Sequence, residues 1–113
     1  MDILTRRLKS SYTMARMRYA IILAPEAVRD VQHLKPHVRS LVRDSLEEFL
    51  RHAPTRVSKS RIKRLRGLSR PQFRLRVGDL RIFYDVREST VEILAVVSKA
   101  DVPAWLKKEG VTE

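Results

Sequence analysis

The chain has 113 residues, 43% of them hydrophobic, with 24 Lys and Arg against 13 Asp and Glu and a net charge of +11. That length suits one domain, since two cores would each be too small to stand alone, and the hydrophobic share excludes a disordered tail. The absence of cysteine excludes a disulfide framework and a thiolate metal site.

No apolar run approaches the roughly 20 residues that span a bilayer, and the opening MDILTRRLKSS lacks the apolar stretch of a secretory signal. A soluble, cytoplasmic protein is expected. The charge is unevenly placed: residues 56–81 carry 10 basic and 1 acidic side chain, whereas residues 82–113 carry 4 and 6. Such a field attracts phosphate polymers and acidic protein segments. A merely solvated face is the plain alternative.

Along the chain, residues 1–16 show weak periodicity and read as a loose extension; residues 17–109 hold the folded domain. Arg18-Tyr19-Ala20-Ile21-Ile22-Leu23 reads as a strand ending at Pro25. Pro25 and Glu26 suit a first helical turn, and Ala27, Val31 and Leu34 share a helical face. Pro36 opens a second helix, along which Val38, Leu41, Val42, Leu46, Phe49 and Leu50 recur at helical spacing to about His52. Pro54 to Arg70 reads as a basic connector. Three strands follow, Phe73–Val77, Leu80–Val86 and Val91–Val97, the first two joined by Gly78-Asp79 in a two-residue turn. Ser98 to Lys108 reads as a closing helix, with Asp101 as a candidate N-cap and Gly110 past its end. The order β-α-α-β-β-β-α predicts a small α+β domain: an antiparallel sheet with an N-terminal helical hairpin packed on one face.

Pairing outward from the Gly78-Asp79 turn sets Val77 against Leu80, Arg76 against Arg81, Leu75 against Ile82, Arg74 against Phe83 and Phe73 against Tyr84. Side chains alternate between faces with period two. Phe73, Leu75, Val77, Leu80, Ile82 and Tyr84 then share one face, an ordinary core surface. Arg74, Arg76, Arg81 and Phe83 share the other. Like charges directly opposed destabilise a sheet pair, so three convergent guanidiniums make sense if an anion completes them. Arginine's planar fork matches phosphate, and Phe83 beside it would stack a base. The plain alternative is neutralisation by Glu88, Glu92 or Asp101.

Other chemistries find little support. His33 and His37 have a metal-like spacing, but Pro36 lies between them and no third ligand follows; surface histidines are the better reading. His52 suits the negative end of its helix. There is no glycine-rich phosphate loop and no HExxH pattern. Glu47 and Glu48 read as solvated charges. Any enzymatic tools are the arginines, Lys99, and Tyr84 or Asp101, a set suited to stabilising a pentacoordinate phosphate by charge. Metal and cofactor are not expected.

The segment Lys63-Arg64-Leu65-Arg66-Gly67-Leu68 followed by Phe73-Arg74-Leu75-Arg76-Val77-Gly78-Asp79-Leu80-Arg81-Ile82-Phe83-Tyr84 resembles the RelE/ParE superfamily of type II toxin–antitoxin toxins, over roughly residues 18–107. The resemblance implies a curved antiparallel sheet with two helices on one side. For RelE-type members it implies mRNA cleavage in the ribosomal A site, the substrate's 2′-hydroxyl attacking the adjacent phosphate. The family's basic strand residues fall on Arg74 and Arg76, its next-strand arginine on Arg81 and its later basic residue on Lys99. Lys63, Arg64, Arg66, Phe83 and Trp105 complete the expected RNA contacts.

The family's C-terminal catalytic tyrosine falls on Trp105. Indole cannot exchange a proton at neutral pH, and arginine, standing where RelE itself has lysine, stays protonated, so both departures bear on proton transfer. Trp105 as an anchor for the closing helix is the competing reading. The implied partners are an acidic antitoxin, the ribosome and mRNA. Two other functions stay open on the same fold: inhibition of DNA gyrase, and RNA binding without catalysis.

Overall fold

The computed structural model describes residues 17–113, and the expected loose extension lies outside them. Strand β1 (Ala20–Leu23) leads into helix α1 (Pro25–Gln32) and helix α2 (Pro36–Ser45), whose last turn widens into a π-helical turn over Leu46–Leu50. Strands β2 (Ile62–Arg64), β3 (Leu68–Arg70), β4 (Phe73–Val77), β5 (Leu80–Arg87) and β6 (Thr90–Ser98) follow. A 3-10 turn (Lys99–Asp101), helix α3 (Val102–Glu109) and the short strand β7 (Val111–Thr112) close the chain.

The main sheet has the order β1-β6-β5-β4-β2, with β1 parallel to β6 and every other pairing antiparallel. The β4–β5 register is the one the turn dictates, from Val77 opposite Leu80 to Phe73 opposite Tyr84. Gly78 takes φ 56°, the positive value that favoured two-residue turns require at their first central position. Ala27, Val42, Leu46 and Leu50 pack on Phe73, Leu75, Val77, Ile82, Tyr84, Val91, Ile93 and Val96 to form the core.

Where pairing runs out, side chains complete it. Val96 lies past the end of β1, and Asp30 of α1 accepts its N–H at 2.8 Å. Burial raises the Asp30 carboxyl above its ordinary value, against the lowering effect of that bond. Gln72, just before β4, accepts the Val86 N–H at 2.8 Å and donates its own N–H to Asp85 at 2.8 Å.

Two expectations are corrected. The basic connector contains two strands: β2 forms the sheet edge against β4, and β3 pairs with β7. A three-residue strand with charged residues is too short to show its alternation in sequence. Leu41 faces solvent, 51% exposed, although it fits the apolar stripe. The buried row is Val42, Leu46 and Leu50, spaced four apart on one side of the helix, and Leu41 falls outside it. The helical hairpin packs on one face as expected, and α3 crosses the other with Trp105 stacked on Phe83.

Candidate nucleic-acid interface

The face carrying Arg74, Arg76 and Arg81 is built by three adjacent strands. Arg76 and Arg81 are direct cross-strand partners, one position inside the turn pair. Non-hydrogen-bonded antiparallel pairs of this kind bring side chains closest together. Arg74 lies two residues along β4, and Lys63 of β2 is its partner on the other side.

None of Arg74, Arg76 and Arg81 has a carboxylate within salt-bridge distance among the described residues, and Asp85, Glu92 and Asp101 are engaged elsewhere. Glu92 and Asp85 both flank Arg70, at 3.6 and 3.7 Å. Asp101 accepts the Ser98 hydroxyl at 2.9 Å. Self-neutralisation is therefore not what this face displays.

The cost of that arrangement shows at Arg74. Burial lowers its pKa, and the charges of Arg81 and then Arg76 lower it further. Its Nη1 is buried without a hydrogen-bond partner. An unpaired buried donor costs about 1–3 kcal/mol, more when charged, and an anion placed among the three guanidiniums would supply both the missing acceptor and the opposing charge. Arg81 curls back to the turn, its Nη1 donating to the Gly78 and Leu80 carbonyls at 2.9 Å each. That fixes the guanidinium on a rigid ribbon.

Lys99 follows β6, and its backbone N–H donates to the Asp79 carbonyl at 2.8 Å. The residue is thereby tied to the hairpin turn. Arg64 and Arg66 separate from the cluster. Arg64 pairs in register with Phe73, a core-face residue, and its guanidinium lies 5.0 Å from that ring. Strand alternation sends it to the opposite side from Lys63. Arg66 is exposed in the bend before Gly67.

The aromatic residues take other places than expected. Phe83 is on the arginine side but only 1% exposed, its ring stacked on Trp105 at 4.7 Å between centroids and 6° between planes. It has no free face for a base. Trp105 anchors α3, its Nε1 donating to Glu26 at 2.7 Å. Tyr84 lies on the core side, where its hydroxyl donates to the Pro54 carbonyl at 2.6 Å and burial pushes its pKa well above the usual phenol range. It is no candidate for proton transfer.

The histidines carry local structure: His33 Nδ1 donates to the Arg29 carbonyl at 2.6 Å and His52 Nδ1 to the Met17 carbonyl at 3.1 Å. Among the described residues no group of His, Asp or Glu is arranged to hold a metal ion. Glu47 is not a free charge, since Arg51 forks onto it through Nε and Nη2 while its Nη1 reaches the Tyr19 carbonyl at 2.7 Å. No described helix is long and apolar enough to cross a membrane.

Arg61 is the basic residue that sequence reasoning passed over. It precedes β2 yet continues its register: Arg76 N–H donates to the Arg61 carbonyl at 2.9 Å, and Arg61 Nη1 donates to the Arg76 carbonyl at 3.1 Å. The only signal in the sequence was its place in the basic segment, two residues before Lys63.

Known proteins share this architecture. The family model for the ParE toxin of the type II toxin–antitoxin system parDE matches residues 21–103. Among solved structures, the RelBE2 toxin–antitoxin complex of Mycobacterium tuberculosis matches at 30% identity and TM-score 0.61, covering 75% of this chain and 95% of that one. The archaeal RelE–RelB complex of Pyrococcus horikoshii matches at 25% identity and TM-score 0.56, covering 74% and 97%. A double mutant of Escherichia coli toxin RelE in the free state shares the fold at 21% identity and TM-score 0.61, covering 82% and 99%. A search of curated proteins finds no match. With the matched model spanning most of the chain and the same sheet beneath it, the protein belongs to the ParE toxin family, within the RelE/ParE superfamily of type II toxin–antitoxin toxins.

Proposed function

We propose that this toxin is a RelE-like, ribosome-dependent mRNA endonuclease working in the cytoplasm, with residues 17–109 as the toxin unit and an acidic antitoxin as its silencing partner. The observation that carries the reading is the set of three guanidiniums on a rigid hairpin without carboxylate partners among the described residues, one of them with a buried, unpartnered Nη1. Arg74, Arg76 and Arg81 grip the scissile phosphate. As the substrate's 2′-oxygen attacks the adjacent phosphorus and its proton passes to solvent, the P–O5′ bond breaks to leave a 2′,3′-cyclic phosphate and a 5′-hydroxyl that takes up a proton. Negative charge grows on the non-bridging oxygens on the way, and fixed cations stabilise that state more than the ground state. Lys99, held at the turn, offsets charge on the leaving side. Tyr84 and Trp105 supply no base, so catalysis rests on charge and positioning, and the ribosome orders the RNA.

Induction of the protein with mapping of mRNA ends should reveal new cuts within translated codons. Arg81→Ala should remove them with the fold intact. Uncut mRNA on induction, or cutting unchanged in that variant, overturns the proposal.

A second reading is gyrase inhibition. Two observations favour it: the matching model describes ParE toxins, and the Tyr84 phenol, on the hairpin itself, is committed to Pro54. Gyrase–DNA cleavage complexes and an SOS response, with mRNA intact, would select it. Salt-sensitive RNA binding without toxicity would select a non-catalytic module.

A further inference from the structure

The geometry points to a second phosphate subsite on the shelf formed by Arg61 and Arg76, so that a bound single strand crosses the strands of the sheet from Arg81 toward the β2 edge. This deepens the RNA reading above and rests on it. Arg61, Arg76 and Arg81 occupy one cross-strand row, joined by the Arg76–Arg81 pairing and the two Arg61–Arg76 hydrogen bonds. Neighbouring strands lie about 4.8 Å apart, so the row spans about 10 Å at the backbone. That exceeds the reach of one phosphate and leaves room for two.

The shelf is open and fixed. A cleft of about 310 Å³ is lined by Ser60, Arg61, Arg76 and Gly78. Arg61 and Arg76 are exposed, and neither has a carboxylate within salt-bridge distance among the described residues. The Arg61 guanidinium is braced over the Phe49 ring, 5.0 Å from its centroid. Its backbone is pinned from below: Ser58 Oγ accepts the N–H groups of Arg61 and Ile62 at 3.0 and 3.2 Å, and the Ser58 N–H donates to the Ile62 carbonyl at 3.0 Å. Placing an arginine that way holds two cations side by side on adjacent strands, at the cost of their repulsion. Ser60 at the lip adds a hydroxyl donor and no bulk. A phosphate here would take N–H donors from Arg61 and from one edge of Arg76, which bridges to the scissile phosphate held beside it with Arg74 and Arg81.

The test is the salt dependence of binding to a short single-stranded RNA, 2′-O-methylated throughout so that it cannot be cut. The slope of log K against log salt reports the number of phosphates neutralised, about 0.7 per contact on a single strand. Arg61→Ala should lower the slope magnitude by about 0.7 and weaken binding roughly tenfold at low salt. Arg43→Ala, on the far side of α2 with 73% of its side chain exposed, should change neither. Ser60→Asp leaves the Arg61 contacts in place and sets a negative charge in the cleft. It should weaken binding as Arg61→Ala does, and carries the test if Arg61→Ala unfolds by circular dichroism. Wild-type binding that is lost in Arg81→Ala, with Arg61→Ala and Ser60→Asp indistinguishable from Arg43→Ala, overturns the second subsite alone. Failure of the wild type to bind overturns the subsite and the RNA reading together.

Discussion

The two faces of the β4–β5 hairpin are made by alternate residues of the same twelve positions, yet they obey opposite rules. On the core face Phe73, Leu75, Val77, Ile82 and Tyr84 are almost completely buried, and the one polar atom among these side chains, the Tyr84 hydroxyl, is bonded. On the other face Arg74 keeps a buried donor without a partner, beside two like charges. One face is finished by the protein itself; the other keeps an unpartnered donor among like charges. Real proteins break the rules of polar satisfaction chiefly where function requires it, and here the breach falls on the residues that the family resemblance assigns to phosphate.

Substitutions across the two faces should differ in sign. The largest effect is expected at Leu75, which is fully buried: Leu75→Ala should cost about 2–5 kcal/mol in urea unfolding. Tyr84→Phe should cost about 1–3 kcal/mol, because the Pro54 carbonyl would be left without its donor. Arg74→Met should go the other way, raising stability by about 1 kcal/mol as a strained, partly desolvated cation is replaced by an apolar chain, while RNA binding falls. If Arg74→Met destabilises instead, the contrast between the faces fails.

The smallest effect concerns pH. The native Asp30 carboxyl holds its proton more tightly than the ordinary 3.8, so its contribution to stability is fully present below that value and lost as pH rises through the raised native value. Asp30→Asn can still accept the Val96 N–H, and it should flatten the stability profile over that window. A profile unchanged from the wild type would contradict the raised carboxyl.

Much of the site was legible because it is local. Arg74, Arg76 and Arg81 lie within eight positions, and a two-residue turn fixes which of them face each other. The aromatic partners were misread for a related reason. Phe83 does fall on the arginine side, as alternation requires, but alternation says nothing about what lies above that side. Trp105 covers it from the far end of the chain.

The sequence by itself determined the β4–β5 register, the sorting of apolar and cationic residues between two faces, and the helical hairpin, since each follows from periodicity and turn chemistry among near neighbours. Only the tertiary structure decided that β2 forms the edge beside β4, bringing Arg61 and Lys63 alongside the arginines, that α3 crosses the opposite face, and that the nearby acids serve Arg70 and Ser98 instead. Those are contacts between distant segments, chosen by which packing buries the most apolar surface and leaves the fewest backbone groups unpaired, and no short stretch of residues encodes that choice.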